Sequence, residues 1–181
     1  MKKGIAVLLL LIVACFHCGC SYTAYKHTYT DIEQYANIWT LSGFRHGYDG
    51  ISPLFPENPS NLEVLEFICR YDEQLPLGEG VQLLLRIRYE EQETFCNEVD
   101  RIAAITYGCD SAFGGNSLSA YAVRLGEKQS SEYALVDFAE QTIFYIYLQN
   151  VPLEEIEFDH ELVPSEYIGY GELKTEDSSL P

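Results

Sequence analysis

Hydrophobic and polar positions along the 181-residue chain change period several times, and each change predicts an element. Ile32, Tyr35, Ala36 and Trp39 recur at helical spacing, which predicts a first helix at about 31–41. Thr30-Asp31-Ile32-Glu33 has the form of a capping box, with Thr30 capping and Glu33 reaching back. From Gly43 to Asn61 the pattern lapses into a long loop with Pro53, Pro56 and Pro59, residues that cannot donate within a central strand. Leu65, Phe67, Cys69 and Tyr71 then alternate with Glu66, Ile68 and Arg70, the period of a strand with one buried face. Leu77-Gly78-Glu79-Gly80 reads as a turn, and Val81 to Tyr89 as the returning strand of an antiparallel hairpin.

A second helix opens at Glu90, Glu91 and Glu93, where acids suit the positive end of the helix dipole, and carries the stripe Phe95, Val99, Ile102. Residues 108–119 form a glycine-rich loop. Three strands follow at Ala120–Leu125, Glu132–Phe138 and Thr142–Gln149, joined by hairpin-length loops that predict a meander. The last, Ile143-Phe144-Tyr145-Ile146-Tyr147-Leu148, is apolar on both faces and belongs at the sheet centre. The order αββαβββ predicts an α+β domain: about five largely antiparallel strands with two helices on one face. The domain is expected over 31–165, with an acidic flexible tail over 166–181.

Ahead of the domain, Lys2 and Lys3 precede an uninterrupted apolar run from Ile5 to Val13. That run is about half the roughly 20 residues a spanning helix needs, and with its basic start it reads as a signal peptide. Leu11-Ile12-Val13-Ala14-Cys15 resembles the lipobox of bacterial lipoproteins, in which the cysteine is acylated and becomes the new N-terminus. Cys20, after Gly19, is the alternative site, although His17 three residues upstream fits the pattern less well. An ordinary secretory leader and an uncleaved anchor are the competing readings. The resemblance implies that residues 1–20 are leader and lipidation region, that 21–30 form a tether, and that the domain sits on the extracytoplasmic face of the cell membrane. The strand–strand–helix then three-strand pattern, with the phrase Glu132-Tyr133-Ala134-Leu135-Val136-Asp137, resembles small lipoproteins of Gram-positive anaerobes, a likeness that implies no activity.

Composition narrows the partners. The formal charge is −17, and without the leader 28 acidic residues face 9 basic ones. Such a surface repels phosphate backbones and anionic headgroups, so nucleic acid is not an expected partner. The three cysteines past the leader, Cys69, Cys96 and Cys109, are an odd number and no disulfide framework. Cys69 and Cys96 are expected as buried thiols, with one disulfide left open.

Catalytic signatures are missing from the sequence: there is no Gly-x-Ser-x-Gly elbow, phosphate loop, His-Glu-x-x-His helix or Cys-x-x-Cys pair. Of four histidines, only His46 and His160 fall in the expected domain. The alternative is a small surface hydrolase that uses either Cys109 with His160, oriented by Asp159 or Glu161, or acidic residues such as Glu90, Glu91 and Glu93 as paired carboxylates. Asp159-His160-Glu161 near Glu157 offers metal-ligand types, but contiguous residues point in different directions. Glu90, Glu91 and Glu93 are accounted for by the helix start, and Asp49-Gly50 lacks the spaced acids of a calcium loop. No catalytic group, metal or cofactor is therefore assigned. The 14 tyrosines point instead to binding, because tyrosine gives a large amphipathic contact at low entropic cost. Tyr121, Tyr133, Tyr145 and Tyr147 on neighbouring strands are the candidate surface, and the expected function is a non-catalytic domain that binds an envelope protein or ligand.

Overall fold

Every residue of the strand Thr142–Gln149 is buried, so the sheet around it needs cover on both faces. The computed structural model describes residues 25–41, 51–74, 78–113, 117–127, 130–165 and 167. The expected leader with Cys15 and Cys20, Asp49-Gly50 with His46, and the tail from residue 168 lie outside the described residues.

In chain order the elements are β1 (Tyr25–Tyr29), a 3-10 turn (Ile32–Gln34) running into α1 (Tyr35–Ile38), β2 (Glu63–Gln74), β3 (Gly78–Arg88), α2 (Gln92–Ile105), β4 (Tyr107–Gly108), β5 (Ser119–Glu127), β6 (Ser130–Asp137) and β7 (Thr142–Gln149). They form one sheet in the order β1-β2-β3-β7-β6-β5-β4, and all neighbours pair antiparallel. The α+β class, the β2–β3 hairpin, the β5–β6–β7 meander and the central place of β7 agree with the sequence pattern. After β3, α2 carries the chain to the far edge. The meander then returns strand by strand until β7 lies against β3.

Three expectations need correction. Among the described residues the sheet has seven strands rather than about five. One addition is β1, formed by residues assigned to the tether, and the other is the two-residue β4 where the second helix gives way to the expected loop. The first helix is short: Asp31, not Thr30, caps it, its Oδ1 accepting from the Glu33 amide at 3.0 Å, and the α-helical part covers four residues. Finally, Cys96 is exposed, whereas Cys69 is buried; both are free thiols, as is Cys109.

The helices share one face. Tyr35, Ile38, Phe95, Val99 and Ile102 pack with Phe67, Cys69, Leu83, Leu85, Ile87 and Tyr145. A strap over residues 51–58 fills the rest of that layer with Leu54 and Phe55, both almost fully buried. On the opposite face Leu84, Tyr133, Leu135, Phe144, Ile146 and Leu148 are covered by Val151, Ile156, Phe158, Val163 and Tyr167. Among the described residues this second cover has two short 3-10 turns, Leu153–Glu155 and His160–Leu162; the Ser165 amide ties it to the Ala112 carbonyl at 2.7 Å, and side chains hold most of the rest. Gln82 does so twice, donating to the Glu155 carbonyl at 2.9 Å and accepting from the Glu157 amide at 2.8 Å. Tyr133 Oη and Tyr167 Oη donate to the Leu162 and Val151 carbonyls, each at 2.9 Å.

Candidate functional site

Alternation along β7 turns Tyr145 and Tyr147 toward the helices, and their hydroxyls must find partners where water is excluded. Tyr145 Oη donates to Glu98 Oε1 at 2.6 Å and lies 2.7 Å from Tyr89 Oη. Glu98 in turn receives Arg101 at both oxygens, at 2.7 and 2.8 Å. The same guanidinium donates to the carbonyls of Pro53 and Leu54. Arg101 therefore fastens the strap to α2 while Glu98 fastens α2 to the sheet. Burial raises the Tyr145 and Tyr89 hydroxyls above the ordinary tyrosine range, with Tyr89 and Glu98 reinforcing the effect on Tyr145.

One strand over, Glu132 is fully buried on the same face. It accepts from Ser52 of the strap and from Arg124 Nη2 at 2.8 Å, and the Arg124 guanidinium lies 5.8 Å from the centre of the Tyr147 ring. Tyr147 Oη donates to Gln149 Oε1 at 2.5 Å. Between strap, α1 and α2 opens a cavity of about 780 Å³ lined by Ala36, Ile51, Pro53, Phe55, Glu98 and Arg101 among others. This volume suits a small ligand or a side-chain-sized group. Glu98, Arg101 and Ser52 on its lining already bond one another or the protein, and Glu57 and Asn58 complete a wall that mixes polar and apolar contact. Among the described residues, no helix is long and apolar enough to cross a membrane.

The expected tyrosine surface is not assembled. Tyr133 and Tyr145 are fully buried and Tyr147 is 4% exposed, while Tyr121 is half-buried against the helix-face cluster. Register explains the split. Tyr133 lies opposite Ile146 and Ala134 opposite Tyr145, so Tyr133 turns to the face of Ile146, away from the other three.

Cys109 and His160 do not form a reacting pair. Cys109 is buried under the second cover, and burial, then Asp110, pushes its thiol up to about 11. His160 is exposed, and no hydrogen bond or ion pair joins the two among the described residues. Asp159 acts as a cap, accepting from the Glu161 amide at 2.9 Å. Among the described residues, no group of three or more His, Cys, Asp or Glu is gathered as for a metal. Glu90, Glu91 and Glu93 are exposed at the start of α2.

Sequence reading missed Ser52, Glu98, Arg101, Arg124 and Glu132. The Glu98–Arg101 spacing is that of an i,i+3 helical pair, a signal available in the sequence. Ser52 and Glu132 are 80 positions apart, and nothing local links them. No protein-family model, curated protein or solved structure matches the chain.

Two outcomes test this geometry. Arg124→Met takes the guanidinium away from the buried Glu132 carboxylate and should cost about 3–5 kcal/mol in urea denaturation. The paired change Arg124→Met with Glu132→Met should cost less than Arg124→Met alone, whereas simple addition of two losses would contradict the pairing. In alkylation by iodoacetamide, only the thiolate reacts. The exposed Cys96 should therefore be modified well before Cys109 at pH 8, and Cys109 reactivity in the folded protein should climb with pH toward about 11.

Proposed function

We propose that this chain is a lipid-anchored protein of the cell envelope whose domain binds another protein or an envelope ligand without turning it over. The anchor rests on the leader: a basic start, a short apolar core and the lipobox-like Leu11-Ile12-Val13-Ala14-Cys15. A bacterial lipoprotein cysteine carries a diacylglyceryl group, and two chains hold a protein far more firmly than one. Because β1 begins at Tyr25, the link is shorter than a tether to residue 30. It reaches at most about 36 Å from Cys15, or about 18 Å from Cys20. The domain works close to the bilayer.

The binding half of the proposal is carried by one observation, the cavity beside α2. It is large, and two of its charged lining side chains, Glu98 and Arg101, are held in mutual contacts, with Glu57 the third charged residue on the lining. A site arranged for turnover needs a nucleophile, acid or base that is not already spent. Here Glu98 and Arg101 shape the strap, and the strap's Ile51, Pro53, Phe55 and Pro56 shape the groove. The buried tyrosines contribute by holding this frame from below.

Mass spectrometry of the mature protein should show a diacylglyceryl-modified N-terminal cysteine at residue 15 or, failing that, 20; unmodified Cys15 and Cys20 would sink the anchor. For the groove, Ala36→Arg places a long cation at an exposed wall position without entering the core. Envelope components retained by the wild-type protein on affinity resin should be lost with this variant while its melting curve stays put. Equal recovery by both proteins would remove the groove from the binding role.

A further inference from the structure

Among the described residues β1 forms one outer edge of the sheet, and an edge strand presents backbone groups that a further strand can pair with. It pairs with β2 over five consecutive residues without a bulge. Natural edges are commonly guarded by bulges, prolines or outward charges; β1, Tyr25-Lys26-His27-Thr28-Tyr29, has no proline and no carboxylate. In a chain of formal charge −17, that makes it a place where two copies can approach without setting acid against acid. Its single lysine is answered within its own chain: Lys26 Nζ lies 3.9 Å from Asp72 and 3.7 Å from Glu155. Lys26 therefore leans inward over β2 and the second cover. The opposite edge, β4, is only two residues long.

The sequence of β1 is also close to self-complementary. An isologous contact requires that the same patch face itself about a two-fold axis. Centred on His27, two antiparallel β1 strands put each Tyr25 opposite a Tyr29, each Lys26 opposite a Thr28, and the two His27 opposite one another. No position in that register sets two lysines or two acids face to face. His27 is exposed, and its ring centre lies 6.4 Å from that of Tyr29 and 6.5 Å from that of Tyr71, so it stands on the helix side of the strand. We infer that β1 is a self-association edge, pairing antiparallel with β1 of a second copy in a register centred on His27. The inference goes beyond the proposed binding function and depends on neither the groove nor the lipid. Attachment of both copies to one bilayer would raise their effective concentration.

Sedimentation of the full chain in detergent micelles, at several protein-to-micelle ratios, tests this with charge swaps. Wild type should form a two-chain species. His27→Asp and His27→Lys should each weaken it by roughly fivefold or more, because like charges then stand directly opposed. An equimolar mixture of the two variants should restore it, since each aspartate then meets a lysine. A merely structural role for His27 would not produce rescue by mixing. Single-chain wild type at every ratio, either variant associating as well as wild type, or a mixture that stays single-chain would overturn the proposal. Amide exchange of wild-type β1 supplies a readout that needs no variant: protection should rise with protein-to-micelle ratio, and protection independent of that ratio would also overturn it.

Discussion

A strand that is apolar on both sides sets the terms for the rest of this protein. β7 sends Ile143, Tyr145 and Tyr147 to one face and Phe144, Ile146 and Leu148 to the other. Antiparallel sheets commonly leave one face to water, but this one does not at its centre. The helices and the strap cover the first face, and an irregular C-terminal segment covers the second. Irregular backbone has no ladder of its own, so Gln82, Tyr133 and Tyr167, together with Ser165 on the Ala112 carbonyl, supply hydrogen bonds that fix it. Arg70 adds a charged clasp at its rim, meeting Asp72, Glu155 and Glu157 at 2.9 to 3.4 Å.

Tyrosine in this domain is mainly a device for joining layers. Its ring fills core volume and its hydroxyl reaches a polar group on the next layer: Tyr35 to the Pro56 carbonyl, Tyr145 to Glu98, Tyr133 to Leu162. The polar seam under the strap is the sum of such contacts with the Arg101 and Glu132 ion pairs. Removing one partner of a buried pair costs more than the pair itself contributes, so the seam favours a unique arrangement of strap and helix. That arrangement shapes the groove. The proposed binding function therefore rests on the same interactions that hold the helix layer in place.

Where the sequence was legible, a period carried the information. The β2–β3 hairpin and the meander follow from alternation and turn residues, and the central place of β7 follows from its unbroken apolar run. β1 was not legible because a lightly buried edge strand can be polar: Lys26, His27 and Thr28 read as tether. The second cover was missed for a different reason. Val151, Ile156, Phe158, Val163 and Tyr167 follow no single period and are interleaved with Glu154, Glu155, Glu157, Asp159 and Glu161, so charge masked the buried stripe. The tyrosine surface failed on register, since pairing one residue along decides which face a side chain meets. Of the site itself, Glu98 and Arg101 could be paired from helical spacing. The Ser52–Glu132 contact required the fold.

The central claim is that an irregular segment completes the core by covering the second face of β7. Native-state amide exchange tests it directly, because groups that open together share one opening free energy. The amides that Gln82 and the 3-10 turns hold, among them those of Glu157, Ile156 and Val163, should open together with those of β7, near the free energy of global unfolding. Fast, independent exchange across 151–165 while β7 stays protected would contradict the account.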